Sequence, residues 1–274
     1  MTDELQKKVN RAIKLLQSIK ADEIELSYSG GKDSDVILEL AKMAGIKYRA
    51  IYKNTTIDPP YTISHCKSKG VEIVRPKKSF LKLIASKGFP TRRVRFCCSD
   101  LKEYKILDNA IQGIRRSESV KRAERYKEPV ICRFYGSKKS RVSVTLPILD
   151  WTDKDVEEFI RERKIQCHPL YYKEGKFDVK ERLGCMGCPL ASDNGLSGFK
   201  KHPNLVKAWI RNGKKWYDSH PNASSRKKFK DVYELFVHNV FFNSYEDFSL
   251  SVRGGYFESI DCKKFLEDYF KIKL

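Results

Sequence analysis

A six-residue turn, Ser29-Gly30-Gly31-Lys32-Asp33-Ser34, constrains this chain more than any other segment. Ile24-Glu25-Leu26-Ser27-Tyr28 before it reads as a strand, and residues 35–44 after it read as a helix stopped by Gly45. Two glycines let a backbone take positive φ and come close to an anion. The N–H groups and dipole at the head of the next helix favour negative charge. Ser29 and Ser34 add hydroxyl donors and Lys32 adds a cation, while Asp33 suits holding the loop or positioning a metal-bound phosphate. Together they predict a phosphate cradle. The spacing is not that of a Walker A loop, which sets four residues between its first Gly and its Gly-Lys. An idle glycine turn explains a lone Gly-Gly, but not six such residues between a strand and a helix.

The surrounding pattern extends this strand–loop–helix unit. Leu5, Val9, Ile13, Leu16 and Ile19 recur at helical spacing. Strands are expected at 48–52, 71–74, 110–114 and 142–149, and helices at 62–69, 80–86 and from a Ser99 cap through 107. Thr152 is expected to cap a helix over 153–162, with Asp155 near the capping-box position. Alternation of this kind predicts an α/β fold: a doubly wound, mostly parallel sheet with helices on both faces. Residues 167–200 read as a loop around Cys185-Met186-Gly187-Cys188, followed by basic helices near 203–218 and 225–240. The α/β alternation stops near residue 195. That divides the chain into a nucleotide-binding domain, 1–195, and a basic, mainly helical C-terminal segment, 196–274.

Of 274 residues, 41% are hydrophobic, enough for a sizeable core. Lys and Arg number 55 against 35 acids, a net charge of +20 that favours anionic partners, nucleic acid above all. A solvated basic surface explains the excess equally well, since basic residues occur along much of the chain. Lys200, Lys201, Lys207, Arg211, Lys214 and Lys215 interleave with Trp209, Trp216 and Tyr217. Such a stretch suits either a track for a phosphate backbone or an amphipathic helix with core aromatics. Without an apolar signal core or spanning run, the sequence predicts a cytoplasmic protein with no membrane partner.

In that compartment the eight cysteines are expected as thiols or metal ligands. Cys97-Cys98 and Cys185-x-x-Cys188 form two pairs, whereas Cys66, Cys132 and Cys167 read as structural. Four thiolates suit tetrahedral zinc or a [4Fe–4S] cluster, although adjacent ligands are awkward for a zinc knuckle. Four buried thiols with no metal are the plain alternative.

The loop carries the Ser-Gly-Gly-Lys-Asp-Ser signature of the PP-loop, or adenine nucleotide alpha hydrolase-like, superfamily. Four further segments make the chain resemble the phosphoadenosine phosphosulfate (PAPS) reductase family. These are Gly113-Ile114-Arg115-Arg116-Ser117-Glu118-Ser119 with Arg122; Leu146-Pro147-Ile148-Leu149-Asp150-Trp151-Thr152 with Asp155-Val156; His168-Pro169-Leu170-Tyr171 with Gly175; and Gly184-Cys185-Met186-Gly187-Cys188-Pro189. The resemblance implies that Gly113, Arg115, Arg116, Glu118 and Arg122 join the loop in binding an adenosine nucleotide, with Lys32, Asp33, Arg115 and Arg116 catalytic. It also implies that the paired cysteines hold the [4Fe–4S] cluster of the family's adenylylsulfate branch. His168 reads as part of its loop rather than a ligand.

The chain departs from the reductases in two places. Their terminal Glu-Cys-Gly-(Ile/Leu)-His motif is replaced by Glu258-Ser259-Ile260-Asp261-Cys262-Lys263-Lys264, and their Asp-Thr-Gly-like turn after the second strand by Asn54-Thr55-Thr56-Ile57-Asp58. The expected activity is therefore that of an ATP pyrophosphatase using ATP with Mg²⁺, which adenylylates a nucleic acid, DNA or tRNA, for sulfur transfer. A cysteine desulfurase or other sulfur donor would be its partner. The alternatives are a sulfonucleotide reductase making sulfite with Cys262 as nucleophile, and a nucleotide-sensing subunit without turnover.

Overall fold

The computed structural model describes residues 1–135, 141–254 and 259–274; Glu258 of the C-terminal motif lies outside them. Its elements run α1 Asp3–Gln17, β1 Glu25–Tyr28, α2 Lys32–Ala44, β2 Arg49–Lys53, α3 Thr62–Ser68, β3 Glu72–Val74, α4 Phe80–Lys87, α5 Phe96–Leu101 and β4 Asn109–Ile111. There follow α6 Val120–Arg125, β5 Val130–Arg133, β6 Val142–Thr145, α7 Asp153–Glu162 and the two-residue strands β7 Tyr172–Lys173 and β8 Lys176–Phe177. The remainder is helical: α8 Leu196–Lys201, α9 Pro203–Ser219, α10 Ser224–Lys227, α11 Val232–Phe241, α12 Tyr245–Val252 and α13 Cys262–Phe270.

Two compact units divide the chain. The first, residues 1–54, 58–76 and 99–184, holds a six-stranded sheet in the order β3-β2-β1-β4-β6-β5. All neighbours are parallel except the edge strand β5, which runs antiparallel to β6. Strand order reverses at β1: β2 lies on one side and β4 on the other, with Leu26 opposite Ala50 and Ile111. In a doubly wound sheet, such a switch point leaves a crevice at the carboxyl ends of the strands, where ligands bind. The turn after β1 and the turn after β4 both open there.

Local chemistry accounts for the elements around this crevice. Thr2 caps α1, accepting a bond from the Leu5 amide at 3.4 Å, and α1 buries Leu5, Val9, Ala12 and Leu16. Those side chains share one core with Leu26 of β1, Val36, Ile37 and Leu40 of α2, and Val156, Phe159 and Ile160 of α7. Each such burial contributes about 1.5–3 kcal/mol. Thr152 and Asp155 close the expected capping box on α7.

Several boundaries differ from the sequence expectation. Helix α2 starts at Lys32 rather than 35, so half of the loop is helical. Strand β4 stops at Ile111, which releases Gly113 and Arg115 into a turn. Strand β6 stops at Thr145, just before Pro147, which has no N–H to donate to a ladder. The helix expected over 99–107 instead spans Phe96–Leu101 and takes in both Cys97 and Cys98.

The second unit comprises residues 55–57, 77–98 and 185–274. It differs from a single cut at 195 because its aromatic core draws on distant segments. Phe80 and Phe89 pack on Trp209 with ring centroids 5.0 and 6.1 Å apart, and Phe199 and Phe236 complete the cluster. The expected helix over 225–240 is split into α10 and α11, with Asp231 capping the second through bonds from the Tyr233 and Glu234 amides. Trp209, Trp216 and Tyr217 are buried. Of the two readings of this stretch, the amphipathic helix is the one observed, and these rings are not presented for stacking on bases. No helix among the described residues is long and apolar enough to cross a membrane.

Candidate active site

The loop sits at the head of α2. Gly30 has φ +79°, the left-handed region that glycine enters without a Cβ penalty, and Gly31 is extended at the N-cap. Ser34 Oγ donates to the Gly31 carbonyl at 2.7 Å, and the Gly31 amide donates to Ser29 Oγ at 3.3 Å, so the turn is braced by its own serines. Intrahelical bonding begins with the Asp35 amide donating to the Gly31 carbonyl at 3.0 Å. The amides of Lys32, Asp33 and Ser34 precede it, at the positive end of a 13-residue helix. That of Lys32 donates to Tyr171 Oη at 3.1 Å, which also accepts from Leu183 N at 3.3 Å.

Lys32 is 5% exposed. Its ammonium lies 5.3 Å from the Tyr171 ring centroid and donates to the Glu181 carbonyl at 3.1 Å. Burial holds its pKa below the usual lysine value, with Asp33 opposing that shift and Arg115 and Arg182 adding to it. Burial also lowers Arg122, with contributions from Arg182 and Arg115. These cations crowd one another, and an incoming anion would relieve them.

The arginine turn meets the loop across the switch point. Arg115, 1% exposed, donates through Nε to Asp33 Oδ1 at 2.7 Å and through Nη2 to Asp153 Oδ1 at 2.9 Å. Its Nη1 reaches Ser117 Oγ at 2.9 Å. Gly113 permits this approach, because a Cβ there would stand 2.8 Å from the Asp33 carbonyl oxygen. Arg116 points elsewhere, bonded to Asp150 and to the Tyr126 and Lys127 carbonyls. Glu118 accepts from the Arg115 amide and pairs with Arg122, while its carbonyl accepts from Arg182 Nη2 at 3.0 Å. The structure therefore brings Ser29–Ser34, Gly113, Arg115, Glu118 and Arg122 together. It gives the Arg115 and Arg116 guanidinium groups protein partners, and it adds Arg182, Asp153 and Tyr171 Oη.

Behind the loop lies a buried polar cluster absent from the sequence reading. Tyr28 Oη donates to Asp35, and His65 Nε2 sits 3.1 Å from Asp35 Oδ2 and 3.0 Å from Tyr28 Oη. His168 packs edge-on against His65, accepts through Nδ1 from the Leu170 amide at 3.1 Å and reaches the Pro60 carbonyl with Nε2 at 3.0 Å. Burial keeps His168 below the usual histidine value, in keeping with a neutral ring that anchors its loop.

The paired cysteines all belong to the second unit. None of the eight cysteines is paired in a disulfide. Cys97 is held far above the usual thiol range by a hydrogen bond with Cys98, by burial, and by the nearby Cys98, Cys185 and Cys188 sulfurs. Arg92 braces the loop beyond Cys188, through Asn194 Oδ1 at 2.8 Å and the Ala191 carbonyl at 2.7 Å. Among the described residues, no group of three or more His, Cys, Asp or Glu is gathered around a single metal-ion position. In donor chemistry, Cys97 with the three sulfurs that act on it, those of Cys98, Cys185 and Cys188, fits an iron–sulfur cluster, whose ligands are thiolates. Cys262 stands apart at the start of α13, 4% exposed, its thiol pushed up to about 12 by burial and then by Glu234, Asp231 and Asp261.

Residues 23–191 match the phosphoadenosine phosphosulfate reductase domain. The chain belongs to that family. The matched region contains the loop, the arginine turn and both cysteine pairs. Among relatives, an uncharacterized protein of Methanocaldococcus jannaschii is 30% identical over 202 residues, covering 68% of this chain and 46% of the relative. An uncharacterized 37.8 kDa protein of Escherichia phage 186 is 28% identical over 218 residues, covering 69% and 61%. The chain thus spans about half the length of the curated relatives it matches. Among solved structures, the phosphoadenylyl-sulfate reductase of Candida auris is similar at 14% identity and TM-score 0.47, over 68% of this chain and 96% of that one. The U34-tRNA thiolase of Methanococcus maripaludis, solved with its [4Fe-4S] cluster, is similar at 14% identity and TM-score 0.43, over 80% of each chain.

Proposed function

We propose that this PAPS reductase-family chain is an ATP pyrophosphatase for sulfur transfer to nucleic acid. The single observation that carries the nucleotide reading is the gathering of buried Lys32 and Arg115 on Asp33, with Arg122 and Arg182 held on Glu118, at the helix head that the glycine turn opens. In this reading the α2 amides and Lys32 hold the phosphates of MgATP. Arg115 fixes Asp33, so that the loop keeps its shape as charge develops. An oxygen of the acceptor attacks the α-phosphorus, the bond to the β-phosphate oxygen breaks, and pyrophosphate leaves. Sulfide then displaces AMP, which departs with that oxygen, and this displacement transfers no electrons. Where a cysteine desulfurase is the sulfur source, its persulfide must first be reduced to sulfide by two thiols, which leave as a disulfide.

Cys97, Cys98, Cys185 and Cys188 would hold the [4Fe–4S] cluster, with zinc as the alternative. When bound, the cluster supplies a sulfur-binding iron. The reductase reading needs a reactive thiolate at Cys262, and burial opposes one there. A nucleotide-sensing subunit would bind ATP without turnover.

Pyrophosphate release from MgATP, measured with and without DNA or tRNA, tests the proposal. Release stimulated by nucleic acid and lost in Lys32→Ala is expected. ATP binding without release would favour the sensor. Sulfite formed from a sulfated adenylate with thioredoxin, and abolished by Cys262→Ser, would favour the reductase.

A further inference from the structure

Basic residues occur along much of the chain, but the net positive charge concentrates in two stretches. Residues 77–95 contain seven lysines and arginines and no acid, and residues 200–230 contain ten against one acid, Asp218. These two stretches carry +16 of the chain's +20. They are more than a hundred positions apart in sequence, yet both belong to the second unit.

Packing brings them together. Phe80 of α4 meets Trp209 of α9 at 5.0 Å between centroids, and Phe89 stacks on the same ring. With their apolar faces joined, the charged faces turn outward: all seven basic residues of 77–95 are exposed, as are eight of the ten in 200–230. On α9, Lys207, Arg211, Lys214 and Lys215 follow an i, i+4, i+7, i+8 spacing, which lines one helix face opposite buried Val206, Trp209 and Ile210. That stripe is about 12 Å long at 1.5 Å per residue. The one acid, Asp218, pairs with Lys214 at 3.0 Å, so the segment's own carboxylates leave most of the charge uncompensated.

We infer that the joined surface of α4, the 88–95 loop and α9 is the docking face for the phosphodiester backbone of a nucleic acid. It deepens the nucleic-acid reading above by naming where the acceptor is held. Because Trp209, Trp216 and Tyr217 are buried, recognition runs through phosphates rather than stacked bases, and it carries little sequence preference. The Arg93–Arg95 end of this face leads directly into Cys97-Cys98, so a strand held there runs beside the cysteine pairs of the same unit.

The test is fluorescence anisotropy of labelled single-stranded DNA, single-stranded RNA and duplex DNA titrated with the intact protein across a salt series. Two charge-reversal variants, Arg211→Glu/Lys215→Glu and Lys82→Glu/Arg93→Glu, are compared with wild type; each is first checked for an unchanged melting temperature and MgATP binding. If one pair fails to fold, the other carries the test. Wild-type affinity is expected to fall steeply with salt. Each variant is expected to bind about tenfold or more weaker, with a logarithmic salt slope shallower by about 2 on duplex DNA. The DNA and RNA arms identify which polymer is preferred. Wild-type affinity that is flat with salt, variants that bind as wild type, or binding to phosphatidylserine vesicles with none to nucleic acid would each overturn the inference. MgATP binding is read separately, so failure of this docking face is distinguishable from failure of the nucleotide site.

Discussion

Arg115 Nε donates to Asp33 Oδ1 at 2.7 Å, which joins the arginine turn after β4 to the phosphate loop after β1. With Arg115 1% exposed, that guanidinium is a buried strut. Removing it strips charge-assisted hydrogen bonds from Asp33, which is part-exposed and keeps Lys32 at 3.8 Å, and from the half-exposed Asp153, at a cost of about 1.5–3 kcal/mol. Arg115→Ala is therefore expected to lower stability by about that much in urea unfolding, and to weaken MgATP binding in the fraction that remains folded. Arg115→Lys keeps the charge but loses the fork to Asp33, Asp153 and Ser117, and should fall between the two.

Gly113 and Gly184 form a matched pair of probes. A Cβ at Gly113 would meet the Asp33 carbonyl oxygen at 2.8 Å, whereas one at Gly184 meets nothing within 4 Å. Gly113→Ala should cost about 1–3 kcal/mol through displaced backbone and should weaken nucleotide binding. Gly184→Ala should leave both thermal unfolding and ATP titration close to wild type.

The depressed Lys32 predicts an alkaline limit to nucleotide binding. Burial keeps its pKa below 10.5 in the ligand-free protein, and phosphates would raise it again by favouring the ammonium. MgATP affinity should therefore fall as pH rises through that lowered value, and binding there should take up protons from the buffer. Calorimetry in buffers of different ionisation enthalpy reads that uptake, and Lys32→Arg should flatten the profile. The lysine's own contribution to folding runs the other way. Its burial penalty is fully present below the folded-state pKa and is relieved as pH rises through it.

Iron content separates the cysteines. Protein purified without oxygen should be brown, and Cys98→Ser and Cys185→Ser should each lose most of the iron and the visible absorbance. Cys262→Ser should keep both, because that thiol is buried in α13 among other residues. Zinc in colourless wild-type protein would point instead to the tetrahedral site.

The loop was legible in the sequence because its chemistry is local. Glycines that permit positive φ, serines that brace a turn and a helix that follows at once are all visible in a short window. The partners of Arg115 were not, since Asp33 lies 82 residues away and the two meet only because the sheet reverses at β1. Tyr171 stands in a recognisable family segment, but its hydroxyl on the Lys32 amide depends on a contact 139 residues long. The Tyr28–Asp35–His65 cluster was missed for the same reason. Trp209 and Trp216 show another limit: an amphipathic stripe of aromatics and lysines has the same spacing whether its rings stack on bases or fill a core. Only the packing of α4 on α9 distinguishes them.

Titration calorimetry of the intact protein with MgATP, AMP and sulfated adenylates, beside Lys32→Ala, tests the nucleotide site most directly. Saturable association with MgATP is expected, with a loss of about tenfold or more in the variant, the scale of one charge-assisted phosphate contact. Silence with every adenosine nucleotide, or equal affinity in wild type and variant, would contradict it.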